Sequence, residues 1–189
     1  ERAFRFAKDA HQGIRRRSGE PYILHPIAVA RIVCQEIGLG STSICSALLH
    51  DVGKIGIPET ILNKPAKLTD EEYEVIKGHV EASIDIIRHL PSLDYVIPAV
   101  IGHHERYDGN GYPRRIAGED IPASARILCI ADSFDAMTSK RCYKKAFPLN
   151  VAREKLLQDA GKQFDPDLVY KFVECLDNGT ITLVKAEEI

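Results

Sequence analysis

Apolar residues recur three and four positions apart along nearly the whole chain, the period of a helix rather than of a strand. Residues 1–12 set Ala3, Phe4, Ala7 and Ala10 at that spacing. Gly19 and Pro21 then mark a loop over 13–22. Residues 26–37 open with Pro26 at a helix start and run to the stop at Gly38 and Gly40. Residues 41–51 begin with Ser and Thr as caps and end near Gly53. A long helix is expected over 69–89, where Thr69 can cap and Asp70, Glu71 and Glu72 suit a helix N-terminus. Further helices fit 92–105, 122–139, 149–160 and 166–176. The Gly-, Pro- and Asn-rich stretch 106–121 reads as a loop, and "TITLV" within 179–189 as a short strand or a frayed tail. No repeat or low-complexity segment interrupts this pattern, so the expectation is one all-α domain over 1–177 followed by a tail, 178–189.

Composition narrows the function. The 189 residues are 44% hydrophobic and 28% charged, enough for a buried core. A net charge of −2 provides no basic field for nucleic acid, and only Arg15-Arg16-Arg17 departs from that, as a solvated turn or a phosphate-binding loop. The five cysteines form no C-x-x-C and are odd in number, which fits reduced thiols in a cytoplasm. Cys34 and Cys45 sit among apolar neighbours and read as core filler. No apolar run is long enough to span a membrane, and no signal peptide is visible. A start at Glu1 rather than Met fits a domain cut from a longer chain.

The chemistry concentrates in histidines and carboxylates. His50 precedes Asp51, His103 and His104 precede Glu105, and Asp132 and Asp135 share a helix face one turn apart. Asp132 interrupts "ILCIADSFDAM", where an unpaired carboxylate would be costly. Imidazole with carboxylate and no thiolate suits Fe, Mn, Zn or Co. There are more donors than one tetrahedral ion needs, so two divalent ions are expected, an arrangement used in phosphoryl transfer. His89 in "IIRHLP" reads as a surface residue.

The motifs "LLHDVGKIGIP" (48–58), "KP" (64–65), "GHV" (78–80), "HHERYDGNGYP" (103–113), "ARILCIADSFDAMTSKRCYKKA" (125–146) and "FDP" (164–166) together resemble the HD-GYP family of cyclic di-GMP phosphodiesterases over residues 48–177. The resemblance implies an all-α HD-superfamily fold and a centre of two divalent ions, Fe or Mn first, with Zn, Co and Ni as further options. It implies ligands at His50, Asp51, His79, His103, His104 and Asp132, with Asp51 and Lys54 in the catalytic machinery and Lys54 at the scissile phosphate or the attacking water. Arg141 and Lys144 would hold substrate phosphates, and Tyr112 of the Gly111-Tyr112-Pro113 motif would shape the substrate site. The implied product is pGpG, with GMP as a further product. A diguanylate cyclase-type partner is implied at the GYP loop.

Residues 1–52, through "AHQGIRRRSGEPYILHPIAVARIV" and "LLHD", resemble instead the hydrolase domain of the RelA/SpoT (p)ppGpp synthetase/hydrolases. That resemblance implies His25 as a ligand and Arg16, Arg17, Ser18 and Tyr22 at a guanine-nucleotide pocket. The chain therefore reads as a hybrid, with residues 1–49 of one type and 50–177 of the other. The Glu-Asp pair that follows HD in (p)ppGpp hydrolases is replaced here by "VGKIG". The upstream H-x-x-R-V helix of HD-GYP proteins is also missing, which leaves its ligand role to His25. Ser83 stands where that family often has Gly. The alternatives to a cyclic di-GMP phosphodiesterase are a hydrolase of (p)ppGpp or a related guanine nucleotide, and a non-catalytic metal- or nucleotide-binding sensor.

Overall fold

A computed structural model describes residues 1–16, 19–37, 40–139 and 146–181. Among these residues every regular element is helical, and the only β-type pairings are two isolated bridges, Arg15 with Pro21 and Ala160 with Phe164. In chain order the helices are α1 (Arg2–Ala10), α2 (Leu24–Ile37), α3 (Ser41–Leu49), α4 (Glu59–Leu62), α5 (Asp70–Lys77), α6 (His79–Arg88), α7 (Ile97–Gly102), α8 (Ala123–Thr138), α9 (Leu149–Gln158) and α10 (Pro166–Asp177). Short 3₁₀ turns occupy Val52–Gly56, Asp94–Val96 and Gly118–Asp120. No helix among the described residues is long and apolar enough to cross a membrane.

Helix α8 is the centre of the packing. It is apolar on nearly every side, and α2, α3, α7, α9 and α10 all lie against it. Its Leu128, Ile130, Ala131 and Phe134 are buried, and Phe134 meets Phe172 of α10 edge to face at 5.1 Å. The outer helices rely on local capping. Thr69 and Glu72 form a reciprocal capping box at the start of α5. Asp165 accepts from the amides of Asp167 and Leu168 ahead of Pro166, and the same carboxylate pairs with Arg126 of α8.

The structure revises several expectations. The long helix expected over 69–89 is two helices, broken at Gly78, whose weak helix propensity makes a break cheap. The segment 92–105 contains only a 3₁₀ turn and the short α7 before the backbone turns at His103. Gly40 rather than Ser41 or Thr42 holds the N-cap of α3, with no side-chain cap bond. Cys34 is exposed rather than core filler, whereas Cys45 is half-buried and packs against the core. Most of the "TITLV" stretch lies outside the described residues.

One close contact brings the two richest motif segments together. The turn after Asp51 lies against α6, and a Cβ on Gly53 would fall 2.2 Å from the His79 carbonyl oxygen and 2.5 Å from the Ser83 nitrogen. Ser83 ties the same seam: its hydroxyl accepts from the Gly53 amide at 2.8 Å and donates to the His50 carbonyl at 3.0 Å. A side chain at Gly53 would push against two backbone atoms and the Ser83 hydroxyl, so Gly53→Ala is expected to destabilise the fold by ~1–3 kcal/mol. Ser83→Ala leaves a buried amide and carbonyl without that partner, and a cost of ~1–3 kcal/mol is expected. Urea unfolding of both variants measures these losses.

Candidate metal centre

His25, His50, His79 and His103 sit at helix ends, where the backbone has groups without an intrahelical partner. His50 follows the last residue of α3, and its Nδ1 donates to the Ala47 carbonyl at 2.7 Å. His79 is the first residue of α6, and its Nδ1 donates to Ile76 at 2.6 Å. His103 follows α7, and its Nδ1 donates to Val100 at 2.6 Å. A carbonyl can only accept, so each of these rings carries its proton on Nδ1 and offers Nε2 as a lone pair. His25, in the first turn of α2, is held differently: its Nδ1 meets the Asp135 carboxylate of α8 at 2.6 Å. Ser139 donates to the other oxygen of Asp135 at 2.9 Å.

These lone pairs converge on Asp51. Asp51, His79, His103 and His104 each offer one donor atom, all within 4.8 Å of one another, and so do His25, His50 and Asp51. Asp51 belongs to both groups. Its Oδ1 lies 3.3 Å from His79 Nε2, while its Oδ2 lies 3.4 Å from His50 Nε2 and 3.6 Å from His25 Nε2. Asp132 joins the second group, with Oδ1 at 3.0 Å from His25 Nε2 and 3.9 Å from His50 Nε2. The Nε2 atoms of His50, His79 and His103 and Oδ1 of Asp51 are buried without a hydrogen-bond partner. Buried polar atoms are costly unless satisfied, and four aimed at one place fit a divalent cation better than a packed core. The residues present could therefore hold metal.

The charges are arranged accordingly. Burial pushes Asp51 up, but the Lys54 ammonium, His50 and the adjacent His25 and His79 rings hold it well below the carboxylate range. Lys54 Nζ sits 2.7 Å from Asp51 Oδ2. Burial alone would lower Lys54, yet Asp51, Tyr22 and Asp132 raise it, so it stays cationic. The Tyr22 hydroxyl donates to the same Asp51 oxygen at 3.0 Å, and burial with the Asp51 charge keeps that phenol protonated. Burial opposes a charge on His25, but Asp132, Asp135 and Asp51 outweigh it and raise its pKa to about 10. His104 goes the other way, lowered to about 3 chiefly by burial.

Of the residues singled out in the sequence, the structure brings together His25, His50, Asp51, Lys54, His79, His103, His104 and Asp132. Tyr112 joins them at the edge, its ring stacked on His104 at 4.8 Å. Arg16 lies with its guanidinium 5.7 Å from the Tyr22 ring centre, on a tight loop closed by its own amide to Glu20. Arg17, Ser18, Arg141 and Lys144 lie outside the described residues. His89 is exposed, bonded to the Asp85 carbonyl of its own helix.

Three residues were assigned no site role from the sequence, Glu105 and Asp135 standing there only as carboxylates near candidate donors. Asp135 was visible only as sharing a face with Asp132; its bond to His25 requires α2 to cross α8. Glu105 is buried and takes the amides of Arg114 at 2.6 Å and Arg115 at 3.2 Å. His11 is buried, donates to Ala7 at 2.7 Å and stacks on Tyr22 at 5.2 Å, which no motif announced.

A carboxylate behind a ligating imidazole fixes its ring and raises its basicity. Asp135→Asn is therefore expected to weaken cation binding ~10–100-fold without unfolding the chain. Titration with Mn(II), alongside a thermal melt, checks this. His50→Ala removes a donor outright and is expected to lower the bound metal per chain, read by elemental analysis.

Residues 12–168 match the HD domain family. The chain is 43% identical over 135 residues to a "Cyclic di-GMP phosphodiesterase" of Vibrio cholerae serotype O1, a match covering 68% of this chain and 27% of that protein. It is 44% identical over 133 residues to a "3'3'-cGAMP-specific phosphodiesterase 2" of the same organism, covering 68% and 25%. This chain thus spans well under half the length of these relatives. A crystal structure of a cyclic GMP-AMP-specific phosphodiesterase of V. cholerae aligns with a TM-score of 0.63 at 20% identity, over 93% of this chain and 47% of that one. That likeness concerns the fold, and it agrees with the all-helical architecture. The His50-Asp51 pair at the junction of two histidine groups and the match over most of the sequence lead to one conclusion: the chain belongs to the HD-domain family.

Proposed function

We propose that this domain is a metal-dependent phosphodiesterase of the HD-GYP type that opens cyclic di-GMP to pGpG, with GMP as a further product. The observation that carries the reading is Asp51, one carboxylate shared by two groups of donor atoms. Such an arrangement suits two divalent cations, and Fe or Mn suits a donor set of imidazole and carboxylate. The activities for which these relatives are named support a cyclic dinucleotide as substrate and leave two candidates, cyclic di-GMP and 3'3'-cGAMP.

Bound cations would acidify a water and offset charge on the phosphoryl oxygens. The chain's own residues do the rest. His50, His79 and His103 present fixed lone pairs because backbone carbonyls hold their Nδ1 protons. Lys54, still protonated beside Asp51 and partly open to the site, places a positive charge where a phosphate oxygen would gain negative charge. Tyr22 shares the Asp51 oxygen with Lys54 and so limits where that carboxylate can turn. Arg141, a planar fork, and Lys144, a point charge, are assigned to the second phosphate on the family resemblance. The same resemblance places a diguanylate cyclase-type partner at the GYP loop, whose Pro113, Arg114 and Arg115 are exposed. A cytoplasmic setting for the domain rests on its cysteine usage.

The test is to load the protein with Mn(II) or Fe(II) anaerobically and separate the products from cyclic di-GMP, 3'3'-cGAMP and (p)ppGpp. pGpG from cyclic di-GMP is expected. Turnover of (p)ppGpp with neither cyclic dinucleotide cleaved would overturn the reading and favour the RelA/SpoT-like one. Lys54→Met is expected to lower kcat by ~10²–10³ while metal content holds. Equal loss of both would mean that Lys54 serves the metal site rather than the substrate.

A further inference from the structure

Among the described residues, four of the five histidines at the centre have a hydrogen bond that fixes the ring: His50, His79 and His103 to carbonyls, and His25 to Asp135. His104 has none. What holds it is contact between rings. His103 lies 3.9 Å away centre to centre and His79 5.1 Å, and both belong to its donor group. Tyr112 also stacks on it, nearly parallel, at 4.8 Å and 26°. Tyr112 is itself backed by Tyr73 of α5, edge on at 6.4 Å, and Lys77 sits 4.8 Å from the Tyr73 ring and 5.6 Å from that of Tyr112.

The loop carrying Tyr112 is built to bring that ring down. A Cβ on Gly111 would lie 2.4 Å from the Arg106 nitrogen, 2.5 Å from the Glu105 Cα and 2.6 Å from the His104 carbonyl, so only glycine lets the chain pass this close. The Tyr112 amide donates to the His104 carbonyl at 3.2 Å. Just beyond, the buried Glu105 carboxylate takes the amides of Arg114 and Arg115, and Arg115 adopts a left-handed backbone at φ 57°. A non-glycine residue there is unfavourable unless its surroundings hold it, and the Glu105 bonds do so. The loop is therefore anchored on both sides of Tyr112 to the segment that bears His103 and His104.

We propose that Tyr112 is a positioning residue for the metal centre: its ring, by stacking, fixes the orientation of His104, and the group formed by Asp51, His79, His103 and His104 depends on it. This rests on the reading of the site as two cation positions. It assigns the hydroxyl no part; any flat ring at position 112 would serve.

Mn(II) binding measured by calorimetry, with the bound ions counted by elemental analysis, tests this on Tyr112→Leu and Tyr112→Phe. Wild-type protein is expected to take up two ions. Tyr112→Leu, with circular dichroism and a melt as controls on folding, is expected to bind one of them ~10–100-fold more weakly and the other as before. Tyr112→Phe is expected to match wild type. Unchanged affinities in folded Tyr112→Leu, equal weakening of both ions, or a Tyr112→Phe as deficient as Tyr112→Leu would each overturn the proposal. A wild-type protein that binds no divalent cation would overturn the metal reading itself. One readout does not depend on Tyr112→Leu folding: Zn(II) added to wild type is expected to perturb the Tyr112 absorbance, giving a tyrosine difference spectrum that shrinks in Tyr112→Phe. Identical spectra from the two would also overturn the proposal.

Discussion

The Asp51 carboxylate is the point on which the rest of the site depends. It is buried, it is ionised, and its two oxygens face different sets of imidazoles. A bare carboxylate in that position would be untenable in a low-dielectric interior. Lys54 and Tyr22 compensate on one oxygen, and the other is left with no hydrogen-bond partner at all. That asymmetry is what separates a cation site from a structural ion pair, in which both oxygens would be satisfied.

Holding five imidazoles around one carboxylate requires helix ends rather than helix faces. Ring nitrogens on a helix face would compete with water, whereas the ends supply carbonyls that lack an intrahelical partner. His50 and His103 use the ends of α3 and α7, and His79 uses the break at Gly78. The short helices and turns that the apolar pattern misread as longer ones are therefore part of the site's construction. A continuous helix over 69–89 would have no helix end at His79.

The N-terminal segment is integrated with the remainder rather than appended to it. His25 reaches Asp132 and Asp135 of α8, Tyr22 reaches Asp51, and α2 packs on α3 and α8. The structure makes one centre from residues on both sides of position 50. Among the described residues His25 is the one histidine of the centre backed by a carboxylate, and that carboxylate lies 110 positions further along the chain.

The sequence alone was enough for the helical architecture and for most of the donor set. Both signals are local: apolar spacing reports a buried helix face, and "HD", "HHE" and "AD" put donors next to each other in the chain. Asp132 was legible for a physical reason as well, because a carboxylate inside an apolar helix needs a partner. Four things required the tertiary structure: the sharing of Asp51 between two groups, the Asp135 support of His25, the Glu105 hold on the loop, and the stacking of Tyr112 on His104. Each joins residues whose separation is set by how helices cross or loops fold back, such as the 110 positions between His25 and Asp135. Side-chain spacing along a helix can say which face a residue shares, but only packing decides what that face meets.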